Sequence, residues 1–279
     1  MQSARTKLPV IFIAVSVIFA CALRFFQLFT LTDIKSGLVV GGEKTSCAIY
    51  GIIALCALAC GVFAKSVGRL DIKFVLPRKN NYVIFCSIAL SVFFFIDFIH
   101  QCFNCYNYVE RVSYVEPAYI VPLIICAALG IVSSFYFAVF TMTVKGTNYD
   151  FRNFTIFHFA PAAWAFTRLC VILTKLVDFF NGIETYIEFI TLVFVICFSF
   201  SFVSSVDKKD GTITSFFAFS SVMLLSASLI LTVPRVLMMI TGNYNLLTDT
   251  DFSLGTYFML GIFAVSVLKN VNKESLRDS

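Results

Sequence analysis

Residues 8–31 read LPVIFIAVSVIFACALRFFQLFTL, twenty-four positions with one charge, Arg24. At 1.5 Å per residue a helix of this length reaches about 36 Å, enough to cross a hydrocarbon core of about 30 Å, so the stretch predicts a membrane span. Arg24 lies about 16 residues in, within the far third of that span. A guanidinium there is costly unless something pairs with it. The chain leaves the hydrocarbon through Gln27, Thr30, Thr32, Asp33 and Gly37.

Composition extends this reading to the whole chain. Hydrophobic residues are 59% of 279 positions and charged ones 13%, with 34 Phe, against roughly 45–50% and 25% in soluble domains. The net charge of +5 comes without a basic block or basic–aromatic interleaving, so nucleic acid is not an expected partner. Most of the ten Cys sit singly inside apolar runs, where Cys behaves as a small hydrophobe and forms no disulfide framework. The first apolar run exceeds the usual length of a signal-peptide core and has no small-x-small cleavage pattern, so it is expected to stay as an anchor.

Cutting the apolar runs at charged and Gly/Asn/Pro clusters gives spans near 8–31, 45–64, 82–101, 117–144, 154–177, 186–206, 213–241 and 252–268. The expected fold is an all-α integral membrane bundle of about eight helices in a single domain, 1–279. The last span is the shortest, and Gly255 and Gly261 weaken it, which leaves a surface-lying helix as the alternative. Lys and Arg set the orientation. With the N-terminus inside, the inner segments hold Arg5, Lys7, Lys65, Arg69, Lys73, Arg78, Lys79, Lys145, Arg152, Lys208, Lys209, Lys269, Lys273 and Arg277, and the outer ones only Lys35, Lys44, Arg111 and Lys175. This predicts both termini in the cytoplasm. The outer connections are acidic, with Asp33, Glu43, Glu110, Glu116, Asp178, Glu184, Glu188, Asp249 and Asp251. Tyr106, Tyr108, Tyr114 and Tyr119 suit an interfacial aromatic belt.

A weak repeat accompanies the spans. Arg24, Asp33 and Gly37 leave the first, and Arg168, Asp178 and Gly182 leave the fifth at nearly the same spacings. The halves 1–144 and 145–279 would then be parallel four-span copies, as in some transporters.

Four charges lie inside the spans: Arg24, Asp97, Arg168 and Arg235, the last beside Pro234. All fall late in outward-running spans, which predicts similar depth in the outer third of the membrane and one shared site. Pairing Asp97 with one arginine leaves two cations for a small anionic or zwitterionic solute to bind bidentately. A transporter or solute-binding protein is the first reading. A structural or assembly subunit held together by the same charges is the second.

Asp97, His100, Cys102 and Cys105 offer either a metal site, a disulfide or plain interfacial residues, and Asp97 with His100 would serve a lipid-head-group enzyme as the third reading. One such cluster falls short of a zinc pattern, and no metal or cofactor is expected. His158, near Pro161, reads as a proton relay or a buried hydrogen-bonded histidine. Gly51 and Gly61, with Ala54, Ala57 and Ala59, make a small-residue face suited to close helix packing. The serines of spans six and seven, Ser199 to Ser228, either line a polar path or bond across helices. The chain contains no H-E-x-x-H, G-x-S-x-G, P-loop or paired-aspartate prenyl-diphosphate motif.

Leu23-Arg24-Phe25-Phe26-Gln27-Leu28-Phe29, with Thr32-Asp33 and Gly37, resembles the first-span exit of a family of multispanning proteins from Gram-positive anaerobic bacteria, where R-x-x-Q-L precedes a D-x-x-x-G turn. The likeness covers about 15 residues. It implies a bacterial cytoplasmic membrane and carries no activity with it. Ile34-Lys35 after Asp33 is more basic than that pattern.

Overall fold

A computed structural model describes residues 2–31, 42–68, 79–112, 115–146, 156–176, 182–207, 214–242 and 252–275. These residues form eight helices: α1 (Gln2–Thr30), α2 (Glu43–Gly68), α3 (Asn81–Arg111), α4 (Pro117–Lys145), α5 (Ala160–Leu176), α6 (Gly182–Asp207), α7 (Ser215–Ile240) and α8 (Leu254–Ser275). Seven helical stretches are long and apolar enough to cross a membrane, and Leu254–Lys269 is a shorter apolar stretch. The chain is an all-α, multi-pass membrane bundle. Apolar runs at this density leave the backbone no partner but itself, and a helix satisfies it within the segment.

The starts are set by local chemistry. Asn80 caps α3 by accepting from the amides of Tyr82 and Val83 at 3.0 and 3.3 Å, and Thr214 caps α7 by accepting from Phe217 at 3.1 Å. α4 ends at Gly146, whose φ of 87° closes the last turn onto the carbonyls of Met142 and Thr143.

Six helices close a ring in the order α3, α4, α5, α6, α7, α8 and back to α3. The α1–α2 pair packs outside it, against α7. Lipid-suited side chains cover that pair's outer faces, among them Leu8, Ile11, Val15, Ile18, Leu55, Leu58 and Val62, all exposed. α6 packs along α7, whereas α2 and α3, their counterparts in the first half, make at most marginal contact. The two halves therefore differ in how they pack. Of the residues carrying the repeat, Asp33, Gly37 and Asp178 lie outside the described residues, as do Thr32 and Tyr114.

α8 does not lie on the surface. Tyr257, Leu260, Phe263, Ala264 and Val267 are all buried, and the helix sits between α7 and α3. Phe263 reaches the rings of Phe137 and Phe140 from α4 and of Phe198 and Phe202 from α6, with centroids 5.3 to 6.3 Å apart and steep interplanar angles. Edge-to-face pairs of this kind are worth about 0.5–1.5 kcal/mol each. In a solvent of acyl chains, such packing takes over from the hydrophobic effect as the force holding helices together.

Glycine makes the fit possible where the sequence placed a weakness. A Cβ on Gly255 would stand 2.3 Å from the Phe93 ring, and one on Gly261 2.3 Å from Ser228 Oγ and 2.9 Å from the Leu225 Cα. These two glycines let α8 approach α3 and α7. Gly51 and Gly61 behave otherwise: a Cβ on either meets nothing within 4 Å, so neither glycine is needed for a close contact among the described residues, although Ala57 and Ala59 of the same helix do pack against the core. Gly261→Ala is therefore expected to lower stability by about 1–3 kcal/mol, the range for overpacking a tight contact, while Gly51→Ala leaves it unchanged. Thermal unfolding of the two variants in detergent distinguishes them, and equal midpoints would contradict the packing described.

Candidate functional site

The buried charges gather at one end of the bundle, near the C-terminal ends of α1 and α7 and the N-terminal ends of α6 and α8. They form two layers. In the outer layer, Arg24 Nη2 of α1 lies 2.5 Å from Glu184 Oε1, and Arg235 Nη2 of α7 pairs with Glu184 Oε2. One carboxylate in the first turn of α6 thus joins three helices. Arg24 also donates from Nη1 to Gln27 Oε1 at 2.5 Å, and Gln27 Nε2 donates to Ser46 Oγ of α2 at 2.8 Å, which ties in a fourth helix. α7 runs through Pro234 unbroken, so Arg235 projects from a continuous helix and not from a broken span.

In the inner layer, Asp97 of α3 is completely buried. It accepts from the Trp164 indole N–H of α5 at 2.9 Å and from the Ser253 hydroxyl, just before α8, at 2.6 Å. Arg168, one turn beyond Trp164 on α5, holds its Nε 3.5 Å from Glu188 Oε1 of α6, and Tyr257 of α8 donates to the same oxygen at 2.7 Å. Arg168 also feels the charge of Asp97. The layers are consecutive turns of one structure, because Glu184 and Glu188 fall on the same face of α6.

The geometry brings the four sequence candidates into this assembly but changes their partners. Glu184 and Glu188, placed by the span boundaries in an acidic outer connection, both belong to α6, and they are the counter-ions of all three arginines. Two cations are therefore not left over: three guanidiniums stand against three carboxylates. The missed signal was the spacing of four between two glutamates at the start of an apolar run, which puts both on one face. Trp164, Tyr257 and Ser253 gave no sequence signal, since each supplies one donor from an otherwise apolar surface.

Several buried polar atoms of this region have no hydrogen-bond partner among the described residues. They are both amide atoms of Gln101, Thr256 Oγ1, Arg168 Nε, and Arg24 Nη2 with Glu184 Oε1, which meet as an ion pair without hydrogen-bond geometry. Gln101 follows Asp97 by one turn on the same face of α3.

The remaining candidates lie elsewhere. His100 stacks on Phe252 with centroids 4.2 Å apart and approaches Asn104 at 3.4 Å, while Cys102 and Cys105 are unlinked thiols along α3. Among the described residues no three of His, Cys, Asp and Glu gather as a metal-holding group. His158 is buried edge-on against Tyr136 at 5.7 Å. The serines of α6 and α7 mostly bond back to their own helices, as Ser199 does to Val195 and Ser221 to Phe217, with Ser201 and Ser220 meeting across at 3.1 Å. Tyr108 and Tyr119 pack at 4.7 Å near the same end as the charges.

Removing Glu184 leaves two buried guanidiniums facing each other, whereas removing Arg24 leaves Glu184 its pair with Arg235. Glu184→Gln is thus expected to destabilise more than Arg24→Gln. The loss should fall below the about 3–5 kcal/mol of a fully buried pair, because Glu184 is 30% exposed. Thermal unfolding in detergent measures the order, and Arg24→Gln proving the more damaging would contradict the bridge. Comparisons with family models, with curated proteins and with solved structures give no match to this chain, so what the site does is read from its own residues.

Proposed function

We propose that this chain binds or transports a small anionic or zwitterionic solute at the outer side of a bacterial cytoplasmic membrane, through Arg24, Asp97, Arg168 and Arg235. The observation that carries this reading is Arg168. Its guanidinium offers five N–H donors. It is 4% exposed, yet it makes no hydrogen bond among the described residues, and its ion pair with Glu188 is long at 3.5 Å. A cation kept in a membrane only to hold helices together is expected to be saturated by its partners, since each unmet donor adds to the cost of burial. One with donors to spare suits bidentate capture of a carboxylate or phosphate. The excess of Lys and Arg in alternate connections supports an outer position for the site and cytoplasmic termini.

A structural role is the second reading, favoured by one observation: the six charges balance, and Glu184 joins α1, α6 and α7. On that reading the charges serve assembly alone. The two readings part in one experiment. The purified protein in lipid nanodiscs is expected to unfold at a higher temperature with rising concentrations of inorganic phosphate, succinate, glycine or 4-aminobutyrate, for at least one of these probes. Arg168→Gln is expected to remove that response. No shift with any probe, together with a lowered midpoint for Arg168→Gln, would leave the structural reading.

A further inference from the structure

The two layers of charge carry opposite excess. In the outer layer two guanidiniums, Arg24 and Arg235, share the single carboxylate of Glu184. In the inner layer the single guanidinium of Arg168 stands against Glu188 and feels Asp97 as well, one cation for two carboxylates. Glu184 and Glu188 are four residues apart on α6, so the positive and negative excess are offset by about 6 Å along the helix axis.

A solute with one negative charge answers the outer layer and leaves the inner excess unmatched. A solute with one positive charge does the reverse. Either leaves the region with a net charge in a medium of low dielectric, which is costly. A molecule with both charges, its anionic end outward and its ammonium end inward, answers both layers and leaves the whole neutral.

Gln101 gives an independent indication. Its side chain is fully buried, and neither its amide nitrogen nor its amide oxygen has a partner among the described residues. It stands one turn outward from Asp97 on α3, a rise of about 6 Å. Cys126 of α4 is within electrostatic reach of Asp97, Arg168 and Cys105, and Asp97, Gln101 and Cys105 succeed one another on one face of α3. Gln101 thus shares the α3 face from which Asp97 meets Trp164 and Ser253. It presents one donor group and one acceptor, the pair that a carboxylate and an ammonium of one ligand would use.

We infer that the site takes a zwitterion whose anionic and ammonium groups are about one helical turn apart, of the class of ω-amino acids such as 4-aminobutyrate and 5-aminopentanoate. This deepens the binding reading above and rests on it.

The test uses the full chain in nanodiscs, with thermal unfolding and the fluorescence of Trp164, the only tryptophan, as two readouts. The probes are glycine, β-alanine, 4-aminobutyrate and 5-aminopentanoate, with butyrate, n-butylammonium and inorganic phosphate as single-sign probes. One of the two longer amino acids is expected to bind at least about tenfold more tightly than glycine, butyrate, n-butylammonium or phosphate. Gln101→Leu, which removes an unsatisfied amide and so keeps or raises the unfolding temperature, is expected to weaken that binding about tenfold, the equivalent of one lost hydrogen bond to a charged group. Butyrate or phosphate binding as tightly as the longer amino acids would overturn the dipolar inference and leave the anion reading standing. Unchanged binding by Gln101→Leu would also overturn it. No response to any probe from folded protein would overturn both.

Discussion

The constraint on which the rest of this bundle depends is that no guanidinium or carboxylate inside it is left to face acyl chains. Arg24, Arg168 and Arg235 come from three helices, and the carboxylates they meet come from α6 and α3. An ion at such depth costs several kcal/mol when alone, so each pairing fixes the rotation of the helices that bring it together. α6 is the pivot: it is strongly apolar along most of its length, and its first two turns place Glu184 and Glu188 on one face. Rotating α6 by half a turn would expose both carboxylates to lipid, strand Arg24 and Arg235, and leave Arg168 only the charge of Asp97.

Aromatic packing provides the other half of the construction, at the opposite end. Phe137, Phe140, Phe198, Phe202, Phe217 and Phe263 form a dry plug among α4, α6, α7 and α8. Trp164 links the two zones: its ring packs edge-on against Phe94 at 5.0 Å, while its N–H holds Asp97. A polar end and an aromatic plug thus divide the interior of the bundle along its length. Glu184, the most exposed of the six charges, stands at the polar end.

Parts of this were readable in advance for definite reasons. The spans follow from runs of apolar residues whose length matches the bilayer, and Arg24, Asp97, Arg168 and Arg235 stood out because charge is rare in such runs. Their partners did not stand out. Glu188 was counted with the acidic connection because a span boundary near 186 leaves it in the first turn, where a carboxylate facing water and one facing a buried arginine look alike. Gly255 and Gly261 counted against α8 by propensity, yet in contact with Phe93 and Ser228 they are what admits it to the ring. The reverse holds for Gly51 and Gly61, which meet no other helix among the described residues.

The sequence by itself determined that the chain lives in a membrane, how many helices it has and which side chains are too costly to face lipid, because these depend on length and local polarity alone. Only the tertiary structure decided which carboxylate meets which arginine, that α8 is a member of the ring, and that Gln101 is buried without a hydrogen-bond partner among the described residues. Those outcomes depend on helix rotation and on contacts between residues far apart in the chain, such as Cys21 with Leu229, 208 positions away, or Arg24 with Glu184, and no local pattern encodes them.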